Sequence, residues 1–249
     1  MQLCHFKSLK PKKMQLFYNS EISTETTQLT FDKIESKHIV RVLRKKENDI
    51  LKITNGKGFL FDVKIILASD KKCLAEVIGF EEKPKPWNYY LHIAIAPTKL
   101  NDRIEWFLEK ATEIGIDEIT PIICSNSERR VVKLARFEKI IQSAMKQSLK
   151  FTLPKLNEPI KLNDFIKQDF EGNVCIAHCE DQKDKNLLQS VVKPSEKTTI
   201  LIGPEGDFSI DEIKKCLAKN MTPISLGESR LRTETAALVA VNTISFINQ

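Results

Sequence analysis

Two glycine-containing segments combine residue types that could hold a small cofactor and activate a substrate. The first is Gly203-Pro204-Glu205-Gly206, and the second, Leu226-Gly227, is followed by the charged side chains of Arg232 and Glu234. Glycines let a ligand approach the backbone closely, so that free N–H and C=O groups can bond an adenine and a ribose without a charged partner. The alternative interpretation of the same spacing is an ordinary pair of tight turns.

Other cofactor and metal chemistries have little support in the sequence. The chain contains no Gly-x-x-x-x-Gly-Lys-Ser/Thr phosphate loop, no Gly-x-Gly-x-x-Gly segment after a strand and no His-Glu-x-x-His motif. Cys175-x-x-His178-Cys179 offers metal-ligand types, but no second ligand pair accompanies it. We therefore predict no metal site and interpret His178, like the isolated His38 and His92, as a structural residue.

The elements around the two loops are those of an α/β domain. Apolar runs predict short strands over residues 90–96, 119–124, 174–177, 199–202 and 223–226. Helical spacing of apolar residues predicts helices between these strands, and Ser209-x-x-Glu212 has the form of a capping box that begins a helix directly after the first loop. The alternation predicts a mainly parallel sheet with helices on both faces, which binds ligands at the carboxyl ends of its strands.

Residues 1–83 are predicted to form a separate, β-rich domain. Strand-like runs over 50–54, 58–67 and 73–80 flank polar turns, and one short helix is expected over 36–43. The charged, proline-containing segment that follows marks the boundary, so the second domain comprises residues 84–249.

The positive charge of the chain is concentrated in the first domain. Residues 1–83 contain 16 Lys and Arg against 11 Asp and Glu, whereas the rest contains 23 against 22. The basic residues that could contact phosphates there are Lys10, Lys12, Lys13, Arg41, Arg44 and Lys45. An ordinary solvated face is the alternative.

Neither end of the sequence resembles a targeting or membrane segment. Residues 1–10 lack the apolar stretch of a signal peptide, and the longest uncharged run, residues 235–249, is too short and too polar to cross a bilayer. We expect a cytoplasmic protein without a membrane partner. The six scattered cysteines are then expected to be reduced.

The amino-acid sequences of the two loops resemble those of the RsmE family of bacterial small-subunit ribosomal RNA methyltransferases. The similar segments are Ile202-Gly203-Pro204-Glu205-Gly206-x-Phe208-Ser209, Leu226-Gly227-x-x-x-Leu231-Arg232-Thr233-Glu234-Thr235-Ala236, Lys99-x-x-x-Arg103, residues 110–115, Ser127-Glu128-Arg129-Arg130 and residues 38–44. The resemblance thus extends over nearly the whole chain. Asp207 departs from it, since many relatives have glycine there, and so does Lys150, where arginine is frequent.

The resemblance implies a fold and an activity. The fold is a PUA-like β-barrel that binds RNA, followed by a SPOUT methyltransferase domain with a C-terminal trefoil knot. The activity is transfer of a methyl group from S-adenosylmethionine to N3 of a 16S rRNA uridine in the small ribosomal subunit, by a homodimer. Two alternatives stay open, because architecture does not decide chemistry: methylation at another RNA position such as a ribose 2′-hydroxyl, and a non-catalytic RNA-binding or assembly factor.

The resemblance also assigns the site residues. Those expected at the cofactor are Ile202, Gly203, Pro204, Glu205, Gly206, Leu226, Gly227, Leu231, Thr233 and Ala236. Further RNA contacts are expected from Lys99, Arg103, Arg129 and Arg130. Arg232 is expected to offset the negative charge of a deprotonated uridine, while Glu234 accepts the N3 proton or holds Arg232 in place. A purely structural alternative has Thr233 as the N-cap of the last helix and Glu234 in its first turn.

Overall fold

The computed structural model describes residues 14–180 and 185–249, which form two compact units that divide between Lys83 and Pro84. Lys10, Lys12 and Lys13 lie outside the described residues. Within the described ranges, no helix is both long and apolar enough to cross a membrane.

The N-terminal unit is a five-stranded sheet with one short helical segment. Its strands are β1 (Leu16–Tyr18), β2 (Gln28–Thr30), β3 (Ile50–Thr54), β4 (Phe59–Leu67) and β5 (Leu74–Glu82), in the order β1-β3-β4-β5-β2. Strands β3, β4 and β5 are antiparallel neighbours, whereas β1 runs parallel to β3. The β3–β4 turn contains Gly56 and Gly58 at positive φ, as its hairpin sequence predicts.

The short helix expected over residues 36–43 begins earlier and has two parts. Helix α1 (Lys33–Lys37) is capped by Asp32, whose side chain accepts a hydrogen bond from Glu35 N, and it continues into a π-helical turn over His38–Val42. Ile39 is fully buried in the core of this unit. The cap, which the apolar spacing does not reveal, sets the earlier start.

The C-terminal unit is built on a parallel sheet. Its strands are β6 (Tyr90–Ile95), β7 (Glu118–Ile123), β8 (Lys155–Leu156), β9 (Ile160–Lys161), β10 (Asn173–Ala177), β11 (Asn186–Leu187), β12 (Lys197–Ile202) and β13 (Thr222–Ser225). Their order is β11-β13-β10-β12-β6-β7-β8, with β9 beside β7, and every pairing is parallel.

Helices cover both faces of this sheet. They are α2 (Asn101–Ile114), α3 (Leu134–Gln147), α4 (Leu162–Phe165), α5 (Leu188–Val191), α6 (Ile210–Ala218) and α7 (Thr233–Ile247). Helices α2, α3, α5 and α7 contribute to one apolar core, and α4 and α6 contribute to a second. The predicted doubly covered parallel sheet is therefore confirmed, whereas the knot stays a prediction.

All loops that follow the parallel strands lie along one edge of the sheet, the carboxyl edge. The loop after β12 is closed by a capping box, in which the Ser209 side chain accepts from Glu212 N and the Glu212 side chain accepts from Ser209 N. This confirms the predicted helix start. Because β12 lies between β10 and β6, its loop has neighbours on both sides.

Candidate active site

A cavity of about 550 Å³ opens at the carboxyl edge, between the loops after β10 and β13. Its lining residues are Ala177, His178, Cys179, Lys185, Ile224, Ser225, Leu226, Gly227, Glu228, Ser229, Arg230, Leu231 and Ala236. The strand ends and helix α7 therefore supply the apolar part of the cavity wall, and the loops supply its polar groups. Such a mixture suits a nucleoside-sized ligand held by a few directed hydrogen bonds.

Four of the residues predicted at the cofactor line this cavity: Leu226, Gly227, Leu231 and Ala236. Gly227 has φ +121°, and a Cβ atom placed on it would meet nothing within 4 Å. The backbone there is therefore open to a ligand in a conformation that side-chain-bearing residues rarely adopt.

The loop after β12 is not part of the cavity wall and packs behind it. Ile202, Gly203 and Pro204 are buried, and a Cβ atom on Gly203 would lie 3.0 Å from the ring of Phe208. Glu205 and Gly206 are more exposed. Thr233 Oγ1 donates a hydrogen bond to the carbonyl oxygen of Gly203 at 3.0 Å, which joins this loop to the start of α7.

Residues 205–212, here called the acidic segment, tie three neighbouring loops to the loop after β12. Each tie is a backbone N–H that donates to a carboxylate oxygen. The bonds run from Lys99 N to Glu205 Oε1 (2.9 Å), from Cys179 N to Asp207 Oδ2 (2.7 Å) and from Ser125 N to Glu212 Oε1 (2.8 Å). Side chains, rather than backbone pairing, thus set the spacing of these loops.

Asp207 occupies a backbone position that favours glycine, and both of its carboxylate oxygens accept hydrogen bonds there. Its φ is +61°, and its second oxygen accepts a hydrogen bond from Phe208 N at 2.8 Å. Asparagine and aspartate adopt this conformation more readily than other side-chain-bearing residues. The departure from the family pattern therefore adds a contact to Cys179 without excluding the loop geometry.

His178 is a pocket residue that the sequence interpretation missed. It is 7% exposed, and neither ring nitrogen has a hydrogen-bond partner among the described residues. Burial lowers the pKa of its imidazole, Lys185 acts in the same direction and Asp207 opposes it. Its place directly after a predicted strand was the available signal, but the sequence alone favoured a loop histidine beside core cysteines, without a functional role.

Arg232 and Glu234 lie at the start of α7 in different surroundings. Arg232 is exposed and takes the N-cap position, without a side-chain capping bond. The alternative in which Thr233 caps this helix is wrong, because the Thr233 hydroxyl bonds Gly203 instead. Glu234 lies in the first turn, 6% exposed, with Oε1 3.9 Å from Nε of Arg103. Its Oε2 has no hydrogen-bond partner within the described part of the chain.

Three further basic residues expected at RNA help to fix the loops after β6 and β7. Arg129 donates to the carbonyl oxygens of Thr98 and Lys99, at 3.1 and 2.7 Å, and Arg130 donates to that of Ser125 at 3.0 Å. Lys99 forms an exposed ion pair with Glu128 at 2.8 Å. The hydrogen bonds of Arg129 and Arg130 use only some of the donors of each guanidinium, so RNA contacts remain chemically possible. The RNA contacts of all three residues stay predictions.

The basic residues of the N-terminal unit are also unequal. Arg41 is paired with Asp70 through its Nε at 2.7 Å. Arg44 is exposed, with φ +54°, and Lys45 is half-buried. Arg44 and Lys45 are thus the described members of the predicted cluster for which no ion pair is found among residues 14–180 and 185–249.

Lys150, which stands where many relatives have arginine, is half-buried. Its Nζ donates to the carbonyl oxygen of Glu113 at 2.7 Å and lies 5.7 Å from the centre of the Trp87 ring. Burial lowers the pKa of this amine, with Glu113 opposing the shift. We therefore assign Lys150 a packing role. No group of three or more His, Cys, Asp or Glu arranged as a metal site occurs in the described ranges.

Both units match known protein families. Residues 85–245 match the RNA methyltransferase domain, and residues 31–78 match the RNA methyltransferase PUA domain. Among curated proteins, the chain is 30% identical to ribosomal RNA small subunit methyltransferase E of Buchnera aphidicola, over 95% of each chain. The same-named protein of Rickettsia conorii is 29% identical, with 94% of this chain and 95% of that one covered.

Two solved structures extend the similarity to three dimensions. A probable rRNA methyltransferase of Porphyromonas gingivalis is 42% identical and superposes with a TM-score of 0.87, over 94% of this chain and 98% of the other. A protein of Legionella pneumophila, described as a methyltransferase and solved with bound S-adenosylmethionine, is 25% identical with a TM-score of 0.85, over 95% and 98%. The chain therefore belongs to the RNA methyltransferase family, and specifically to the small-subunit ribosomal RNA methyltransferases E that its loop sequences predict.

Proposed function

We propose that this enzyme transfers a methyl group from S-adenosylmethionine to N3 of one uridine in small-subunit ribosomal RNA. The observation that carries the proposal is the open cavity beside Gly227, which adjoins the helix start bearing Arg232 and Glu234. As ribosomal RNA is the substrate, we expect the enzyme to act in the cytoplasm.

The cavity fits the methyl donor in size and in chemistry. Leu226, Leu231 and Ala236 offer an apolar wall for an adenine, and the backbone at Gly227 is accessible for hydrogen bonds. His178, whose ring nitrogens have no hydrogen-bond partner among the described residues, lines the same cavity. When bound, S-adenosylmethionine supplies an electrophilic methyl group on a sulfonium. The loop after β12, with Ile202, Gly203, Pro204, Glu205 and Gly206, supports the site from behind, and Thr233 joins it to α7.

The substrate chemistry is assigned to the first residues of α7. A uridine N3 is a poor nucleophile while it carries its proton, and loss of that proton spreads negative charge onto the two flanking carbonyl oxygens. The exposed guanidinium of Arg232 stays charged and can donate to one of these oxygens. The Oε2 atom of Glu234 has no hydrogen-bond partner among the described residues, so this carboxylate can accept the N3 proton. Its ion pair is with Arg103 rather than Arg232, so Arg103 is the residue that orients it.

Identification of the methylated nucleoside tests the proposal. Purified enzyme, labelled S-adenosylmethionine and either naked small-subunit rRNA or assembled subunits lacking the modification would be incubated, digested and examined by mass spectrometry. We expect 3-methyluridine in one of the two substrates. A 2′-O-methylated nucleoside would support the alternative reaction on ribose. Cofactor binding without any transfer to either substrate would support the non-catalytic RNA-binding factor.

A homodimer is part of the proposal. Helix α7 buries Ala237, Ala240, Val241 and Ile244 against its own unit, yet Phe246 on the same helix is 73% exposed. Since the resemblance implies a homodimer, we assign this exposed apolar end of α7 to the dimer interface. Light scattering should give twice the chain mass of 28.5 kDa. A monomer that still methylates RNA would contradict the dimer.

A further inference from the structure

His178 is the buried polar side chain at the cavity whose role the proposed mechanism leaves open. It follows β10 directly, is only 7% exposed and has two ring nitrogens without a partner among the described residues. Buried polar atoms in folded proteins are nearly always hydrogen-bonded. A buried ring that lines a cavity, with both nitrogens unpartnered among the described residues, is therefore a candidate to bond a ligand there.

The backbone on both sides of His178 is fixed. Cys179 N donates to Asp207 Oδ2 at 2.7 Å, and the carbonyl oxygen of His178 accepts from Nζ of Lys185 at 2.8 Å. These bonds fix the position of the His178 backbone, from which the imidazole extends. Asp207, present where many relatives have glycine, is thus placed to act as a positioning residue for the ring.

We propose that the imidazole of His178 hydrogen-bonds the nucleoside half of the bound cofactor, and that Asp207 positions it. The proposal rests on the cofactor site proposed above. Burial and the nearby ammonium of Lys185 keep the ring neutral, because both lower its pKa, although Asp207 opposes them. A neutral imidazole has one donor and one acceptor nitrogen. This pair matches a ribose hydroxyl or the adenine edge, which donate and accept, better than a carboxylate, which only accepts.

Calorimetric titration with two ligands tests the contact. The ligands are S-adenosylhomocysteine, which has both halves of the cofactor, and 5′-methylthioadenosine, which lacks the amino-acid half. His178→Phe keeps an aromatic ring but removes both nitrogens, and it should weaken both ligands by about tenfold, the scale of one or two hydrogen bonds. His38→Phe, the same substitution at an exposed histidine of the N-terminal unit, is the matched control and should bind both ligands like wild type.

The two ligands separate the outcomes. If His178→Phe binds both as tightly as wild type, the contact is wrong and the proposed function is untouched. A loss confined to S-adenosylhomocysteine would overturn the assignment to the nucleoside half. If the wild-type protein binds neither ligand, the cofactor site itself fails and the contact fails with it.

A double-mutant cycle tests the positioning role. Asp207→Gly should weaken 5′-methylthioadenosine several-fold in the wild-type background and hardly at all in His178→Phe, since the ring through which Asp207 acts is then absent. Equal losses in both backgrounds would overturn that role. Nitrogen NMR of the wild-type enzyme gives a measurement independent of variant folding. Addition of 5′-methylthioadenosine should shift the ring resonances of His178 and leave those of His92 in place, and unshifted His178 resonances would contradict the proposal.

Discussion

His92 and His178 are equally buried, at 7% exposure each, and belong to the two strands that flank β12: His92 lies in the first half of β6, and His178 follows the carboxyl end of β10. His92, on β6, shares a hydrogen bond of 2.7 Å between its Nε2 and Thr120 Oγ1, and its ring packs edge-on against Phe165. His178, after β10, has neither ring nitrogen bonded within the described ranges. Burial alone therefore does not distinguish the two histidines, whereas hydrogen-bond satisfaction among the described residues does.

The surroundings of the two histidines differ in the same way. Near His92, Glu118 accepts hydrogen bonds from Asn157 Nδ2 (2.6 Å), Lys155 Nζ (2.8 Å) and the hydroxyl of Tyr90, so these polar groups serve one another. At the carboxyl edge, Glu234 Oε2 also has no partner within residues 14–180 and 185–249. In the same ranges the hydroxyl of Thr198, at the start of β12, is one exception to this contrast. The unsatisfied atoms of His178 and Glu234 thus lie at the edge where we propose the cofactor and the substrate to bind.

The largest expected effect is on chemistry at the carboxyl edge. Arg232→Ala should lower single-turnover methylation about a hundredfold, the usual scale for loss of one electrostatic donor, with little change in cofactor affinity or thermal stability. Arg136→Ala is the control, because it removes an equally charged, exposed side chain that pairs with Glu105 on α2. If Arg232→Ala methylates at the wild-type rate, the carboxyl edge does not use this cation.

Glu234→Gln separates the two roles considered for this carboxylate. If Glu234 accepts the N3 proton, the variant should be roughly tenfold to a hundredfold slower near neutral pH, and raising the pH should restore the rate because solvent then ionises N3. The measurement is the single-turnover rate against pH. A deficit that is the same at every pH would assign Glu234 an orienting role beside Arg103.

Cofactor affinity should respond to the open glycine of the cavity. Gly227→Val places a β-branched side chain at φ +121° and into the ligand space, so calorimetry should show affinity reduced by about tenfold or more in a folded protein. Gly79→Val is the control, since a Cβ atom there also meets nothing within 4 Å but no positive φ is required. Gly203→Val is a poorer test, because the ring of Phe208 lies 3.0 Å from the new Cβ.

Acid should destabilise the protein through His92 and Glu118 in two separate pH ranges. Burial lowers the pKa of His92 to about 4, with Lys155 in the same direction and Glu118 opposing. Between pH 6.5 and 4 the unfolded chain therefore binds a proton that the folded chain does not. As the pH is lowered through this range, the free energy of unfolding decreases by up to about 1.4 kcal/mol per pH unit. Despite burial, hydrogen bonds from Asn157, Lys155 and Tyr90 lower the pKa of Glu118 to about 2, so its contribution is lost between pH 4.5 and 2.

Denaturant unfolding measures this acid response. His92→Gln should reduce the slope of stability against pH between 6.5 and 4 and have a smaller effect in the Glu118 range, because the charge of His92 is only one of several causes that lower the pKa of Glu118. An unaltered slope in the variant would show that His92 is not the group responsible.

The smallest expected effect concerns RNA affinity, which we assign largely to the N-terminal unit. Neutralising Arg44 and Lys45 together should lower the slope of log affinity against log salt by about 0.7 to 0.9 for each phosphate that the protein no longer binds, with cofactor binding unchanged. Arg41→Gln serves as a comparison, since its guanidinium is already paired with Asp70. A slope that does not move would identify these residues as a solvated face.

Much of the fold was predictable because its signals are local. The apolar runs of β6 and β12 and the Ser209–Glu212 capping box each depend on a few consecutive residues, and all three are present as predicted. The two-residue strands β8, β9 and β11 have too few residues to show a pattern. The place of β10 between β12 and β13 is a long-range property that no segment of the sequence contains.

The site was less predictable than the fold, for the same reason. Leu226, Gly227, Leu231 and Ala236 were found through a resemblance that is read along the chain. The pairing of Glu234 with Arg103 joins residues that are distant in sequence, and the unpartnered state of the His178 ring depends on which groups fail to surround it. The assignments of cofactor, RNA and catalytic residues stay predictions that the variants above test.

The acidic segment also determines how the loops at the carboxyl edge should open locally in the folded protein. The amides of Lys99, Ser125 and Cys179 belong to three different loops, yet each donates to a carboxylate of residues 205–212. Displacement of that one segment frees all three amides at once. In hydrogen–deuterium exchange they should therefore behave as a single opening unit with a common rate, although up to 80 residues separate them along the chain.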